Sequence, residues 1–180
     1  MSIVDEFCKT TLEEAKRFYE KAKVESDQDG KDAYLKAAIL LGFAALESHI
    51  NAIADDFLTR SDLSVLEQSI LSERDFDLHE GKYRLTGNLK MYRLEDRIRF
   101  IYRRFSGRPI KEDAQWWGDL KGGITYRNKL THPKEVITIS EGMAKKSLEA
   151  IINTLNALYK AVYKKACPSV QRGLISNMSF

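Results

Sequence analysis

The chain has few of the residues that cross-link or interrupt a polypeptide. Its 180 residues include three prolines and two cysteines, Cys8 and Cys167, which lie far apart and in no metal-ligand spacing. A disulfide framework or a cysteine-based metal site is therefore not expected. Met1–Glu6 carry no secretory signal, so we expect two reduced thiols in a cytoplasmic protein. We expect no metal and no cofactor, because the sequence has no phosphate-binding glycine loop and no cluster of ligating side chains.

Long hydrophobic runs are also missing. The longest, Ala37–Leu46, is about half of the ~20 residues that a membrane-spanning helix needs, and Lys36 and Glu47 bound it. It predicts a buried core helix and no membrane contact. With 43% apolar and 31% charged residues, the composition is that of an ordinary globular domain long enough to bury a core.

Apolar residues at helical spacing recur along most of the chain and predict an all-α bundle of four to six helices. We predict helices over residues 4–24, 31–58, 61–71, 94–105, 111–131 and 140–165, with Ser61 and Ser140 as N-caps. The helices over 31–58 and 140–165 are apolar on two sides or on one broad face, so they should lie at the centre. The second apolar side of the helix over 31–58 is formed by Leu40, Phe43 and Leu58.

One short region instead has the alternation of a β-hairpin. Residues 76–78 and 83–85 alternate apolar and polar side chains around Glu80-Gly81, which indicates a small hairpin near residues 75–86. We assign residues 1–167 to a single helical domain. Residues 168–180 are expected to be a loosely ordered C-terminal tail.

Positive charge is concentrated between Lys82 and Arg108, although the net charge is only +3. Aromatic residues lie between the basic ones, a pattern that fits a surface holding a phosphate backbone and stacking bases. Arg103 and Arg104 are the candidate substrate contacts. The alternative is a solvated helix face whose aromatic residues point into the core.

The segment Tyr126–Pro133 places an arginine and a histidine at a predicted helix end. On an ideal helix Arg127 and His132 would lie about 140° apart. His132 precedes a proline, which disfavours the helical conformation and frees it to swing back toward Arg127. A guanidinium that holds the charge of a phosphate, beside an imidazole that moves a proton, suits phosphodiester chemistry. A helix-capping histidine beside a solvated arginine is the alternative.

The segment from Arg127 to His132, with Asn128 directly after the arginine, resembles the Arg-X4–6-His motif of the HEPN superfamily. The motif lies on the penultimate long helix, and Ala44–Ala52 is similar to the second helix of that family. The resemblance extends over most of residues 31–165, although only Arg127, Asn128 and His132 match specifically.

The resemblance implies a bundle that dimerises through its motif helices. In active members it also implies metal-independent cleavage of RNA, as in toxins or defence effectors. Arg127 and His132 would be catalytic, with Asn128 in support. An antitoxin or a nucleotidyltransferase is an implied partner, and non-catalytic relatives that bind a protein or a nucleotide keep a second function open. Because transesterification needs both a base and an acid, and one chain offers one motif histidine, a two-fold axis beside His132 would complete the site.

Three further residues are candidates near the motif. Glu47 is expected to be partly buried, and a polar residue on this helix sometimes supports the site in the resembling family. Lys129 and Lys134 flank the motif and are candidate phosphate contacts, although exposed lysines commonly have no role. The remaining candidates for chemistry are expected in the core or in solvent: His49, His79, Trp116 and Trp117.

Overall fold

In a computed structural model the chain forms a helical bundle with one small β-hairpin. The structure describes the backbone from residue 3 and the side chains from residue 7, so the prediction drawn from residues 1–6 lies outside the described side chains. The six helices in this part of the chain confirm the mainly helical prediction. In chain order the elements are α1 (Ile3–Val24), α2 (Gln28–Phe57), α3 (Val65–Ser72), β1 (Arg74–His79), β2 (Lys82–Leu89), α4 (Leu94–Ser106), α5 (Gln115–Thr131), α6 (Glu141–Tyr163) and a 3₁₀ turn, Pro168–Val170.

Serine side chains cap the N-termini of two of these helices. The Ser64 hydroxyl accepts a hydrogen bond from the Glu67 backbone N–H, and the Glu67 carboxylate accepts one from the Ser64 N–H at 2.8 Å. The predicted N-cap at Ser61 was wrong, because only Ser64 has a glutamate three residues later to complete a capping box. Ser140 caps α6 as predicted, accepting from the Met143 N–H at 3.2 Å.

Helices α2 and α6 form the centre of the bundle, as predicted. α2 packs against α1, α5 and α6, while α6 packs against α1, α2, α4 and α5. At the α2–α6 crossing a Cβ on Gly42 would lie 2.8 Å from the fully buried Leu148, so the glycine lets the two helices approach closely. Leu40 is 36% exposed, and its assignment to the second apolar side was wrong. On that side α5 covers Phe43 through Gly123 and leaves Leu40 uncovered.

Within the described chain α2 alone is long and apolar enough to cross a membrane. However, 56% of its apolar window is buried inside the bundle. Its apolar residues are therefore used for core packing, which is compatible with a soluble protein.

The predicted hairpin is present and packs on α3. β1 and β2 are antiparallel, with Leu78 opposite Tyr83. Glu80 and Gly81 connect them with φ angles of 49° and 76°, and two positive φ angles are what a two-residue type I′ turn requires. Leu78 and Tyr83 are more than 60% exposed, so the hairpin extends away from the core.

Residues 168–180 lie against α1 and satisfy a buried ion pair there. The fully buried Lys16 ammonium donates to Glu13 at 2.7 Å and to the Ser169 carbonyl at 2.9 Å. The Asn177 N–H donates to the other Glu13 oxygen at 2.6 Å. Since a buried charge pair needs such additional bonds, these contacts hold the segment on α1, which the sequence did not indicate. Nearby, burial raises the pKa of the Cys167 thiol.

We expect Gly42→Ala to destabilise the protein by on the order of 1 kcal/mol. Overpacking against Leu148 costs about 1–3 kcal/mol, which outweighs the gain of up to ~1 kcal/mol from the helix propensity of alanine. The matched control is Gly142→Ala, because Gly142 is exposed in the first turn of α6 and a Cβ there would meet only the Ser140 hydroxyl, at an ordinary contact distance of 4.0 Å. Urea unfolding measures both variants, and equal midpoints for the two would contradict the close crossing.

Candidate functional site

At the end of α5, His132 has the non-helical conformation that the sequence predicts. This residue has φ −130° and ψ 66°, outside the helical region, as the following proline requires. Its backbone N–H donates to the Asn128 carbonyl at 2.9 Å and closes the helix. The imidazole is exposed, and it makes no hydrogen bond with any described residue. It is therefore open to a proton-transfer partner from outside the chain.

Arg127 lies on another side of the same helix and is held by two oxygen atoms. Its guanidinium donates to a Glu47 carboxylate oxygen at 2.6 Å and to the Asn128 side-chain oxygen at 3.1 Å. The side chains of Arg127 and Glu47 are 32% and 36% exposed. Glu47 is thus partly buried, as expected, and contacts the motif arginine directly. This ion pair joins α2 to α5 at the surface.

Arg127 lines a cleft of about 440 Å³ between α2, α5 and the segment that leads into α4. Apolar side chains form part of its wall: Phe43, Met91, Leu94 and Ile124. Polar and charged side chains form the rest: Glu47, Asn51, Glu73, Tyr92, Arg93, Glu95, Arg97, Arg127 and Asn128. A cleft of this size and mixed lining fits a small polar ligand with an apolar or aromatic part.

Arg97 is a buried cation at the base of this cleft, with only 4% of its surface exposed. Its guanidinium donates to the Asn51 side-chain oxygen at 3.0 Å, to Glu73 at 2.9 Å and to the Leu71 carbonyl at 2.9 Å. Burial lowers the pKa of Arg97, while nearby carboxylates, Glu73 foremost, act against that shift. Arg97 is therefore a structural cation that holds Asn51, so this member of the basic stretch belongs neither to an exposed basic surface nor to a solvated helix face.

His132 lines a separate, shallow depression of about 580 Å³. Lys134 and the ion-paired Lys129 lie in it, but Arg127 does not. Asn128 lines both the cleft and the depression. In a single chain, therefore, the two motif side chains face different cavities with Asn128 between them.

The two lysines that flank the motif differ in availability. Lys129 forms an ion pair with Glu135 at 2.7 Å, and its hydrogen bond lowers the pKa of that carboxyl. Lys134 is exposed and has no ion pair within the described residues. Of the two, Lys134 is the better placed to bind an added phosphate.

The basic stretch between residues 82 and 108 is not one continuous surface. Arg104 forms ion pairs with Asp62 at 2.8 Å and with Glu67 at 3.1 Å, which tie α4 to α3 and the loop before it. Its neighbour Arg103 is exposed and has no ion pair in the described part of the chain. Other basic residues of the stretch are also engaged within the chain, in the pairs Lys90–Asp75 and Arg99–Glu112.

Sequence reasoning missed Asn51, Glu73 and Tyr92 as members of the cleft. Asn51 had a signal, since it follows Glu47 by four residues and so lies on the same helix face. Glu73 had none, because it flanks the hairpin and reaches the cleft only through its packing, whereas Tyr92 had a signal as one of the aromatic residues of the basic stretch. The Tyr92 hydroxyl is hydrogen-bonded to Ser69 at 2.8 Å, which fixes its ring.

These features define a helical-bundle protein with a charged cleft between its central helix and a motif helix. Comparison with protein-family models, with curated proteins and with solved structures gives no match for this chain. The side chains of the cleft and of the motif are therefore the features that indicate a function.

The ion pairs of Asp62 predict acid sensitivity of the contact between α4 and the loop before α3. Hydrogen bonds from Arg60 and then Arg104 hold the pKa of Asp62 well below its ordinary value. A lowered pKa stabilises the fold above the pKa of the unfolded chain, about 3.9 for aspartate, and this contribution is lost as the pH falls below that value. We expect Asp62→Asn to lower the thermal midpoint at pH 7 and to flatten its decline below about pH 4.

Asp77→Asn is the matched control, because Asp77 is an exposed carboxylate of β1 with no ion pair in the described chain. Thermal unfolding followed by circular dichroism across pH 2–7 measures the effect. Parallel pH profiles for the wild type and Asp62→Asn would show that Asp62 does not stabilise this contact.

Proposed function

We propose that this protein is a metal-independent endoribonuclease of the HEPN kind that acts as a homodimer. One observation supports this most: the end of α5 presents Arg127 in a cleft and an exposed His132 five residues later, with Asn128 lining both cavities. The side chains suit cleavage of a phosphodiester by transesterification through the neighbouring ribose hydroxyl.

In the proposed reaction the 2′-hydroxyl of RNA attacks the adjacent phosphorus. A neutral His132 takes the proton of that hydroxyl, and a protonated His132 gives a proton to the departing 5′-oxygen as the phosphorus–oxygen bond breaks. Arg127 stabilises the negative charge of the phosphorane by charge-assisted hydrogen bonds. The products end in a 2′,3′-cyclic phosphate and a 5′-hydroxyl.

Arg127 has the donors to do this while it remains paired with Glu47. A guanidinium carries five N–H donors, and the contacts to Glu47 and Asn128 use one each. The remaining donors can contact a phosphate, so Glu47 and Asn128 act as positioning residues for the arginine. Lys134 and Arg103 are the favoured additional phosphate contacts, since Lys129 and Arg104 are engaged in ion pairs.

The mechanism needs two histidines, and the surface of α5 favours a second copy as their source. A Cβ on Gly118 or Gly122 would meet no atom within 4 Å. Each glycine inside a helix costs up to ~1 kcal/mol relative to alanine, and no contact within the described chain requires either of them. They leave room for another backbone, and beyond the motif Val136 is 98% exposed, as expected for an apolar side chain that is covered in an assembly.

Binding without catalysis is the second candidate function, and the hairpin favours it. Leu78 and Tyr83 form an exposed apolar pair, and both strands have an open edge to which another strand could be added. In that case the partner is a protein, such as an antitoxin or a nucleotidyltransferase, and the pair of Arg127 with Glu47 is purely structural.

We expect His132→Ala and Arg127→Ala each to reduce RNA cleavage by ~100- to 10,000-fold, the usual loss for an acid–base group. Arg127→Lys should not restore activity, because an ammonium lacks the planar pair of donors that contacts a phosphate. His79→Ala is the control, since His79 is an exposed histidine of the hairpin. Gel analysis of RNA incubated with each variant gives the rates, with circular dichroism as the check on folding.

Cleavage should persist in EDTA and leave 2′,3′-cyclic phosphate ends, because the proposed acid and base are side chains. Equal cleavage by wild type, His132→Ala and Arg127→Ala would place the activity elsewhere. A wild type that cleaves nothing in a broad RNA panel would favour the binding function.

We expect Gly118→Leu and Gly122→Leu to dissociate the dimer and to abolish cleavage while the chain stays folded. The space around both glycines is open and leucine is a better helix former, so the fold itself tolerates the change. Ala166→Leu, which adds the same apolar side chain at an exposed position after α6, is the control. Light scattering at micromolar concentration reports the mass, and a wild-type monomer that still cleaves RNA would refute the two-chain site.

A further inference from the structure

The cleft beside Arg127 contains two side-chain amides whose orientation is fixed by cations. The Asn51 oxygen accepts from Arg97, and the Asn128 oxygen accepts from Arg127. A guanidinium can only donate, so each amide must turn its oxygen toward the arginine and its NH₂ group away. Neither NH₂ group is hydrogen-bonded to a described residue. The cleft therefore carries two oriented donors, one from α2 and one from α5.

The Glu47 carboxylate connects these two residues and supplies an acceptor. Glu47 uses one carboxylate oxygen for Arg127, and the other makes no hydrogen bond with the described residues. Asn51 follows Glu47 by one helical turn on α2, and Asn128 shares Arg127 with Glu47. Followed along these connections, from Asn51 through Glu47 and Arg127 to Asn128, the free groups of the two amides and the carboxylate come in the order donor, acceptor, donor.

We propose that this cleft binds the uracil base of an RNA nucleotide whose phosphate is held by Arg127. The pairing edge of uracil presents a carbonyl, an N–H and a second carbonyl, which is the complement of donor, acceptor, donor. Guanine presents one acceptor and two donors, cytosine one donor and two acceptors, and adenine one donor and one acceptor. Asparagine reads adenine through its oxygen and nitrogen together, and here both oxygens are already engaged.

The rest of the cleft suits a single unstacked nucleotide. Its volume of about 440 Å³ lies within the ~300–1,000 Å³ range of small-molecule sites. Leu94, Ile124 and the fixed ring of Tyr92 supply apolar and aromatic surface for a base. Arg93 is exposed at the cleft without an ion pair in the described chain, where a neighbouring phosphate would pass. The inference rests on the proposed function, because it takes the phosphate at Arg127 to be that of RNA.

Calorimetric titration of the full chain with the four nucleoside 3′-monophosphates tests this directly. We expect the uridine nucleotide to bind about tenfold or more tightly than the adenosine nucleotide, the discrimination usual for a well-matched base edge. Sequencing the ends of a cleaved random-sequence RNA should then show uridine at one fixed position beside the cut.

Two substitutions should change the preferred base. Asn51→Asp converts the pattern to acceptor, acceptor, donor, which complements guanine, so the preference should shift from the uridine to the guanosine nucleotide. Asn128→Asp gives the same pattern read from the other side, and it lies at the exposed end of α5, where the fold tolerates change. Asn153→Asp on the exposed face of α6 adds the same charge outside the cleft and should leave the preference unchanged.

The outcomes separate this inference from the proposed function. Preferential binding of the uridine nucleotide without RNA cleavage supports the uracil site and removes the endoribonuclease. Cleavage with equal binding of all four nucleotides, or with none bound, overturns the uracil site and leaves the endoribonuclease. Folded Asn51→Asp and Asn128→Asp variants that both keep the uridine preference would also overturn it.

Discussion

Helix α2 is buried on two sides, and the position of the candidate site follows from that constraint. Its apolar residues pack against α1 and α6, and Gly42 lets α6 approach closely at the centre of the bundle. Where α2 faces α5 and the segment entering α4, it presents a narrow strip that carries polar residues. Glu47 and Asn51 lie on this strip, one helical turn apart. The strip places a carboxylate against Arg127, so the core packing and the site geometry have a single cause.

A second constraint is the buried charge of Arg97. A guanidinium removed from water must be matched by hydrogen bonds and an opposite charge, and three segments supply them here: α2 through Asn51, the hairpin base through Glu73, and the end of α3 through a carbonyl. Glu73 is also the left-handed C-cap of α3, whose φ of 52° turns the chain into β1, so the residue that ends the helix also neutralises Arg97. The requirement explains why one of the basic residues in the stretch is unavailable to an outside phosphate. The same hydrogen bonds give the cleft a rigid base, on which the Asn51 amide keeps one orientation.

The surface of α5 has more open polar groups and glycines than the single chain uses. Arg127 retains unused donors, the His132 imidazole faces solvent, and two glycines in the helix leave empty space beside them. In a stable monomer such features lower the stability of the fold without a compensating contact, since helical glycine weakens the helix and an oriented guanidinium loses conformational freedom. They are consistent with a surface completed by a second copy and by a polyanion. The ion pair with Glu47 holds the arginine ready in the meantime, which limits the reorganisation that binding requires.

The sequence by itself determined the helices, the hairpin and the conformation of His132, because helical periodicity, turn residues and the effect of a proline on its predecessor are local properties. It also singled out Arg127 and Glu47, although not their contact. Only the tertiary structure decided which charges are neutralised within the fold: Arg97, Arg104 and Lys129 look alike in the sequence, yet all three form ion pairs, and that of Arg97 is buried. The same holds for the cleft: the Asn51 amide depends on Arg97, 46 positions away, and Arg127, which orients the adjacent Asn128, is itself held by Glu47, 80 positions away. Local patterns set the backbone of this protein, whereas the orientation and availability of each polar group depend on neighbours that only packing brings together.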